Sequence, residues 1–374
     1  MIVCFTYLGP LQYRGRLFKQ IKTLRNAGFD CVLIHGQTET KTPDYSLYDF
    51  PVIPIRVIQE KVKVLTLASQ LHFAKKAARK IKDVGAGTIV CVNLQSALSG
   101  AIAKKRNSRL RFIFDNNELS LEMFSDSLKR KVWFFIQNII LKRADIIIHA
   151  ERRRLEYFHK VYKTEAQPFV LQNLPFFRKD VPAPRSGSKP IRCVYVGSFM
   201  PDRYCEEMLK GFSKIHRPDV TFDMVGFYGR AGYEAIIKRL LENLDKSKIR
   251  ILPPVSHRNM YDFLSNYHMG LAFYKNTNLN NYYCAPNKIY DYIQMGMPVI
   301  TNDHPGLIDE VQRNKIGVCL PIINTVNIRD AIEKIESENL CSNINESIRK
   351  KYSWENQEER SEEHTSELQS LLII

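Results

Sequence analysis

Residues 280–311, NNYYCAPNKIYDYIQMGMPVITNDHPGLIDEV, hold the densest set of groups in the chain that could do chemistry. Pro286 and Asn287 predict a helix start, which places Lys288 in the first turn and Asp291 and Tyr292 in the next, with Gly296 as the stop. Pro298 then leads into an apolar strand that delivers Asn302, Asp303 and His304 to its carboxyl end. Pro305, Gly306 and Leu307 open a second helix. The first N–H groups of a helix lack intrahelical acceptors, so those of this turn are candidates for holding a diphosphate. A nearby carboxylate such as Asp291 suits the hydroxyl pair of a ribose. The same pattern also fits a plain strand–helix crossover with ordinary caps, and the residue types alone leave that choice open.

The elements that must position these groups follow from the apolar pattern. Residues 1–8, 31–36, 88–94, 109–115 and 144–150 are short apolar, mostly β-branched runs separated by helical or polar stretches. The turn GPLQYRGR at 9–16 leads into a helix marked by Leu17, Ile21 and Leu24, with Gly28 after it. A polar, proline-containing connection then precedes a helix at 66–82. VPAPRSGSKP at 181–190 reads as a linker. Beyond it the pattern restarts, with strands expected at 191–197, 220–226, 248–255, 269–275, 298–303 and 317–322. Helices are expected between and after them at 202–215, 231–244, 257–265, 287–295, 306–313 and 327–337. Alternating strands and helices predict parallel sheets covered on both faces. The expected organisation is an α/β chain of two Rossmann-like lobes, 1–180 and 191–359, facing a central cleft where such sheets bind ligands.

Length and charge agree with two lobes. The 374 residues exceed one ordinary core, and 44% hydrophobic with 25% charged residues is globular composition. No apolar run reaches the ~18 residues that span a bilayer. MIVCFTYLGP reads as a first strand and not a signal peptide. Eight cysteines without a CxxC pair argue against structural zinc and for a reducing cytoplasm. Residues 1–190 hold 33 Lys and Arg against 15 Asp and Glu, whereas the remainder holds 22 against 24. The first half therefore faces something anionic, and the second manages a more local ligand.

PNKIYDYIQMGMPVITNDHPGLIDEV resembles the donor-binding signature of the family 4 retaining glycosyltransferases, which have the GT-B fold. YVGSFMPDRYCEEMLKGFSKI at 195–215 resembles the opening of that family's second lobe, and VLQNLP at 170–175 and YSW at 352–354 also match its pattern. The resemblance covers about 1–359 and implies sugar transfer from a nucleoside-diphosphate sugar, without a metal, to a lipid-linked or glycan acceptor. By position, Asp291 takes the place of the family's second glutamate, which contacts the ribose. The first glutamate falls at Tyr283, which offers no carboxylate to the donor sugar. Where relatives carry an arginine after the second-lobe glycine, this chain has Ser198, so Arg203 in the same loop and Lys288 become the candidate diphosphate contacts. A cation is needed there because charge builds on the leaving group. Gly15 and Arg16 resemble the family's glycine-rich loop. FDNNELSLEMF at 114–124 resembles a D-x-H-E-L segment in which Asn117 replaces a sugar-binding histidine, with Asp115 and Glu118 beside it to orient loops or bind an acceptor.

Other readings coexist with this one. Asp115 with Glu118 could form a hydrolytic carboxylate pair. The departures at Tyr283, Ser198 and Asn117 also suit a weakly active or inactive relative that binds nucleotide-sugars or scaffolds other enzymes, and the same fold hosts sugar epimerases. SLKRKVWFFIQNIILKRAD at 127–145 brackets an apolar run with cations, so Trp133, Phe134 and Ile140 are candidates to enter an anionic membrane surface, a buried core helix being the plainer alternative. HFAKKAARKIK at 72–82 adds a second basic helix. Nucleic acid is disfavoured because no binding module accompanies the charge. His35, His149 and His216 read as strand-end or surface groups, not metal ligands. The expected location is cytoplasmic, peripheral on the inner face of a membrane. RSEEHTSELQS at 360–370 resembles a translated sequencing adaptor, so 360–374 is expected to be a non-native tail.

Overall fold

Every strand among the described residues lies in one of two parallel sheets. The computed structural model describes residues 1–11, 14–38, 43–57, 67–125, 127–181 and 189–363. It divides into one unit of Met1–Gln172 joined by the chain from Glu358 onward, and a second of Asn173–Gln357. The division falls ahead of the run at 181–190, of which 182–188 lie outside the described residues.

The first unit begins with β1 (Ile2–Leu8), α1 (Gly15–Asn26), β2 (Asp30–Gln37), β3 (Val52–Arg56), α2 (Leu67–Val84) and β4 (Thr88–Val92). It continues through α3 (Leu94–Arg106), β5 (Arg111–Asn116), α4 (Ser127–Leu141), β6 (Ile146–His149), α5 (Arg152–Val161) and β7 (Gln167–Val170). The sheet order is β3-β2-β1-β4-β5-β6-β7, and every pairing is parallel. Both outermost strands carry a proline, Pro54 in β3 and Pro168 in β7. A residue without an N–H is tolerated at a sheet edge because one side of that strand has no ladder to complete. The stretch expected to be a connection therefore holds a strand.

The second unit starts with β8 (Ile191–Phe199), α6 (Cys205–Ser213), β9 (Val220–Tyr228), α7 (Tyr233–Leu241), β10 (Ile249–Leu252) and α8 (Met260–Leu264). Then come β11 (Met269–Ala272), α9 (Leu279–Tyr282), α10 (Asn287–Gln294), β12 (Val299–Asn302), α11 (Pro305–Leu307) and β13 (Gly317–Leu320). Helices α12 (Thr325–Ser337), α13 (Glu346–Lys351) and α14 (Trp354–Glu363) complete the described chain. The order is β10-β9-β8-β11-β12-β13, again all parallel. Side chains alternate across this sheet, as a period of two requires. Cys193 and Tyr195 of β8 face a core with Met208, Phe212 and Ile328, while Val194 between them faces Ile289, Ile293 and Val299.

Two expected helices differ in detail. The one expected over 202–215 is interrupted: a 3₁₀ turn at Pro201–Arg203 ends at Tyr204, whose φ of 55° is left-handed, and α6 starts afresh. The one expected over 306–313 widens after its first turn into a π-helix at Ile308–Gln312.

Strand order reverses at β1 in the first unit and at β8 in the second. Ligands of open parallel sheets bind at the carboxyl ends of the strands at such reversals, here β1 with β4 and β8 with β11. In the second unit that end is built from glycine on two strands. A Cβ placed on Gly226, φ +153°, would lie 1.7 Å from the carbonyl oxygen of Gly197, with backbone on both sides of the clash. Gly226→Ala is therefore expected to cost about 2 kcal/mol or more, read as a lower urea midpoint at unchanged slope.

Candidate active site

The end of β8 and the segments after β11 and β12 bring together residues far apart in sequence, with Tyr274 at their centre. The guanidinium of Arg203 lies over the Tyr274 ring, 4.4 Å from its centroid. Lys288, in the first turn of α10, places its Nζ 4.3 Å from the Tyr195 ring centroid and 5.3 Å from that of Tyr274. Both predicted cations thus flank one aromatic ring.

Each has a defined seat. Arg203 Nη1 donates to Asp202 Oδ2 at 2.7 Å and to Asn281 Oδ1 at 3.4 Å. Asn281 Nδ2 in turn donates to Asp202 Oδ2 at 2.9 Å, so the amide and the carboxylate fix the guanidinium together. A Cβ on Gly197, φ +151°, would meet Lys288 Nζ at 3.1 Å, so the ammonium occupies the space that the glycine leaves open. Tyr195 Oη donates to the Ser198 carbonyl at 2.9 Å and steadies this turn. Burial first, and then the charge of Arg203, bring the Lys288 ammonium down to about 7. Two cations beside one carboxylate, with one cation reluctant to hold its proton, make a site that an anion would stabilise.

The turn after β12 is tied to the same ring's backbone. Asn302 Nδ2 donates to the Tyr274 carbonyl at 2.6 Å, and Asn302 Oδ1 accepts from the Tyr274 N–H at 2.9 Å. His304 Nε2 donates to that carbonyl at 2.8 Å, and burial lowers the imidazole's pKa. This anchors Pro305, Gly306 and Leu307, which start α11 as expected; Gly306 and Leu307 are buried, and the Leu307 side chain belongs to the core. Tyr283, half-buried, packs its ring on Tyr282, which packs on His304, so an aromatic wall stands where the resemblance would place a carboxylate. Asp291 sits one turn after Lys288, and its Oδ1 accepts from Tyr261 Oη at 2.9 Å. Tyr274, Asn281 and Asp202 were not singled out in the sequence. The signal for Tyr274 was its place directly after the strand beside the order reversal.

In the first unit the candidate residues gather at the carboxyl ends of β5 and β6. Gly15 opens α1, and among the described residues nothing lies within 4 Å of a Cβ built there. Arg16 is buried and paired with Asp115, whose second oxygen accepts from Gln20 at 3.1 Å. Burial pushes the Asp115 carboxyl up against the opposing pull of Arg16. A fully buried, paired Asp115 is no partner for a hydrolytic pair with Glu118, which removes that alternative. Arg154 donates to the Asn117 carbonyl and lies 3.6 Å from Glu118, so α5 holds the 117–118 turn. His149 ends β6 fully buried. Asp115→Ala leaves Arg16 buried without its counter-charge and is expected to cost about 3–5 kcal/mol, read as a fall in thermal midpoint.

The membrane-facing assignment on α4 is corrected in part. Trp133 and Ile140 are buried in the first unit and cannot enter a headgroup layer, whereas Phe134 is exposed. A helix packed on its neighbours, here chiefly α3, turns one apolar side inward, and these two residues lie on it. Among the described residues no helix is long and apolar enough to cross a membrane, and no group of three His, Cys, Asp or Glu side chains is placed to hold a metal.

Residues 177–351, within the second unit, match the family described as glycosyl transferases group 1. The protein is a glycosyltransferase with the GT-B fold. Solved structures similar to the whole chain include sucrose-phosphate synthase from Thermosynechococcus elongatus, with a TM-score of 0.73 and 14% identity over 98% of this chain and 100% of that one. Alr3699/HepE from Anabaena, in complex with UDP-glucose, gives 0.74 and 12% over 97% and 99%. WaaG, a glycosyltransferase involved in lipopolysaccharide biosynthesis, gives 0.65 and 12% over 99% and 97%. At these identities the likeness is one of fold. No curated protein sequence matches the chain.

Proposed function

We propose that this glycosyltransferase moves a sugar, with retention of its anomeric configuration, from a nucleoside-diphosphate sugar to a lipid-linked or glycan acceptor in the making of a cell-surface polysaccharide or glycolipid. The observation that carries the reading is the pair of cations, Arg203 and Lys288, flanking Tyr274 at the carboxyl end of the second sheet. The diphosphate accepts hydrogen bonds from both cations and from the first N–H groups of α11, and Asp291 takes the ribose. As the bond from the anomeric carbon to the phosphate oxygen breaks, negative charge collects on the diphosphate, where the two cations stabilise it. The acceptor oxygen bonds to the same face of the sugar and passes its proton to the leaving phosphate oxygen. The products are the glycoside and the nucleoside diphosphate. No metal takes part in this scheme, since the cations supply the charge that a metal would.

The first unit, with Asn117 and Glu118 on a turn held by Arg154, handles the donor sugar and the acceptor. Its excess of cations brings the protein to the anionic inner face of a membrane from the cytoplasmic side. The test is to incubate the protein with a panel of nucleoside-diphosphate sugars, UDP-glucose included, plus membrane extract and a chelator. The reading expects one nucleotide released, a new glycoside and an unchanged anomeric configuration by NMR. An inverted product would overturn retention. Nucleotide-sugar binding without any transfer would favour a scaffold, and conversion of the sugar without an acceptor an epimerase.

A further inference from the structure

Outside the donor site, the first unit carries a groove of about 750 Å³ between α2, α3 and α4. Its floor is apolar, made by Leu98, Ala101 and Ile102 of α3 and by Ile139 of α4. Its rim is cationic: Lys75 and Arg79 from α2, Lys105 and Arg106 from the end of α3, and Arg143 just past α4. Among the described residues no acidic side chain lines it, and none of the five cations is ion-paired to a carboxylate. Five like charges around an apolar trough are unfavourable in a free protein, and a surface meant only for water has no need of the trough.

The groove continues into an exposed apolar stripe. Leu128 and Phe135 of α4 are 70% and 67% exposed; Phe135 follows Leu128 by seven residues and Ile139 follows Phe135 by four, so the three share one side of that helix. The stripe thus runs along the helix into the groove floor. Phe134 stands beside it, 47% exposed.

We propose that this groove seats a single acidic phospholipid, its phosphate among Arg79, Lys105, Arg106 and Arg143 and one acyl chain on the floor, while Phe135 and Leu128 enter the bilayer around it. The assignment rests on the membrane reading above and adds to it a defined site. Charge complementarity selects an anionic headgroup, and the apolar floor selects a headgroup that brings its chain along. A free phosphate would use the rim and leave the floor in water.

The experiment titrates the intact protein with dioctanoyl phosphatidylglycerol below its micellar concentration, and separately with dioctanoyl phosphatidylcholine and with inorganic phosphate. The phosphatidylglycerol is expected to bind at least about tenfold more tightly than either of the others. The double variant Arg79→Ala/Arg106→Ala should lose at least about tenfold of that affinity, while Lys129→Ala/Lys131→Ala, which removes the same charge elsewhere on the unit, should stay within about threefold. Nucleotide binding by the groove variant should not change, which confirms its fold. Phosphate binding as tightly as the lipid, or equal losses in both variants, would overturn the site. Sedimentation with phosphatidylglycerol vesicles separates the two levels: wild type and groove variant bound equally leaves the membrane reading standing and removes the groove, whereas no binding by wild type removes both.

Discussion

Lys288→Met is expected to lower turnover by about two to three orders of magnitude, with a smaller change in donor KM, because the ammonium acts mostly on charge that appears as the bond breaks. Lys288→Arg should not rescue it. The Nζ already sits 3.1 Å from where a Cβ on Gly197 would lie and 4.3 Å from the Tyr195 ring, so a longer, planar guanidinium has no seat. The same residue predicts a stability effect of definite sign. Its pKa is about 7 in the folded protein and near 10.5 when unfolded, so folding penalises the protonated form. The penalty is absent above about pH 10.5, grows as the pH falls toward 7 and is complete below 7. Lys288→Met should therefore raise the thermal midpoint at pH 6 and change it little at pH 10.5. A loss of turnover with a lower midpoint at pH 6 would point to a packing role.

Arg203→Ala is expected to cost about two orders of magnitude in kcat/KM at a nearly unchanged thermal midpoint. The guanidinium is half-buried, lies on the Tyr274 ring and is oriented by Asp202 and Asn281. Arg203→Lys should recover only part of the loss, since an ammonium keeps the charge but not the planar guanidinium that lies over the Tyr274 ring. Asn281→Ala should fall between wild type and Arg203→Ala, because it frees the guanidinium without removing it. Wild-type kinetics for Arg203→Ala in transfer assays would remove this residue from the diphosphate site.

Much of this arrangement was legible in the sequence, and what was not has physical causes. The interior strands announced themselves because a buried parallel strand needs β-branched residues on both faces, as in TIVCV and VITN. The edge strands VIPIR and QPFV did not, because proline argues against a strand unless the strand is known to lie at an edge. The helix start at Asn287 and the turn at Pro305 were visible, since proline marks a first turn by a local rule. The break at Tyr204 was not: a left-handed tyrosine has no local signature and is held by tertiary packing. Lys288 and Arg203 were found as cations near a motif, but Tyr274, which lies between them, became visible only when β11 was placed beside β8. Trp133 and Ile140 show the converse error. An apolar run with basic ends has the same composition whether it meets lipid or a core, and only the face that each residue occupies tells them apart.

The most direct test is calorimetric titration, at pH 8 in two buffers of different ionisation enthalpy, of the nucleoside diphosphate that the donor panel selects. Lys288 is largely neutral in the free protein at that pH, and a diphosphate beside it favours the protonated form, so binding should take up a proton. The account predicts uptake approaching one proton for the diphosphate, none for the bare nucleoside and none in Lys288→Met. Diphosphate binding without proton uptake, at an affinity that neither Lys288→Met nor Arg203→Ala alters, would contradict it.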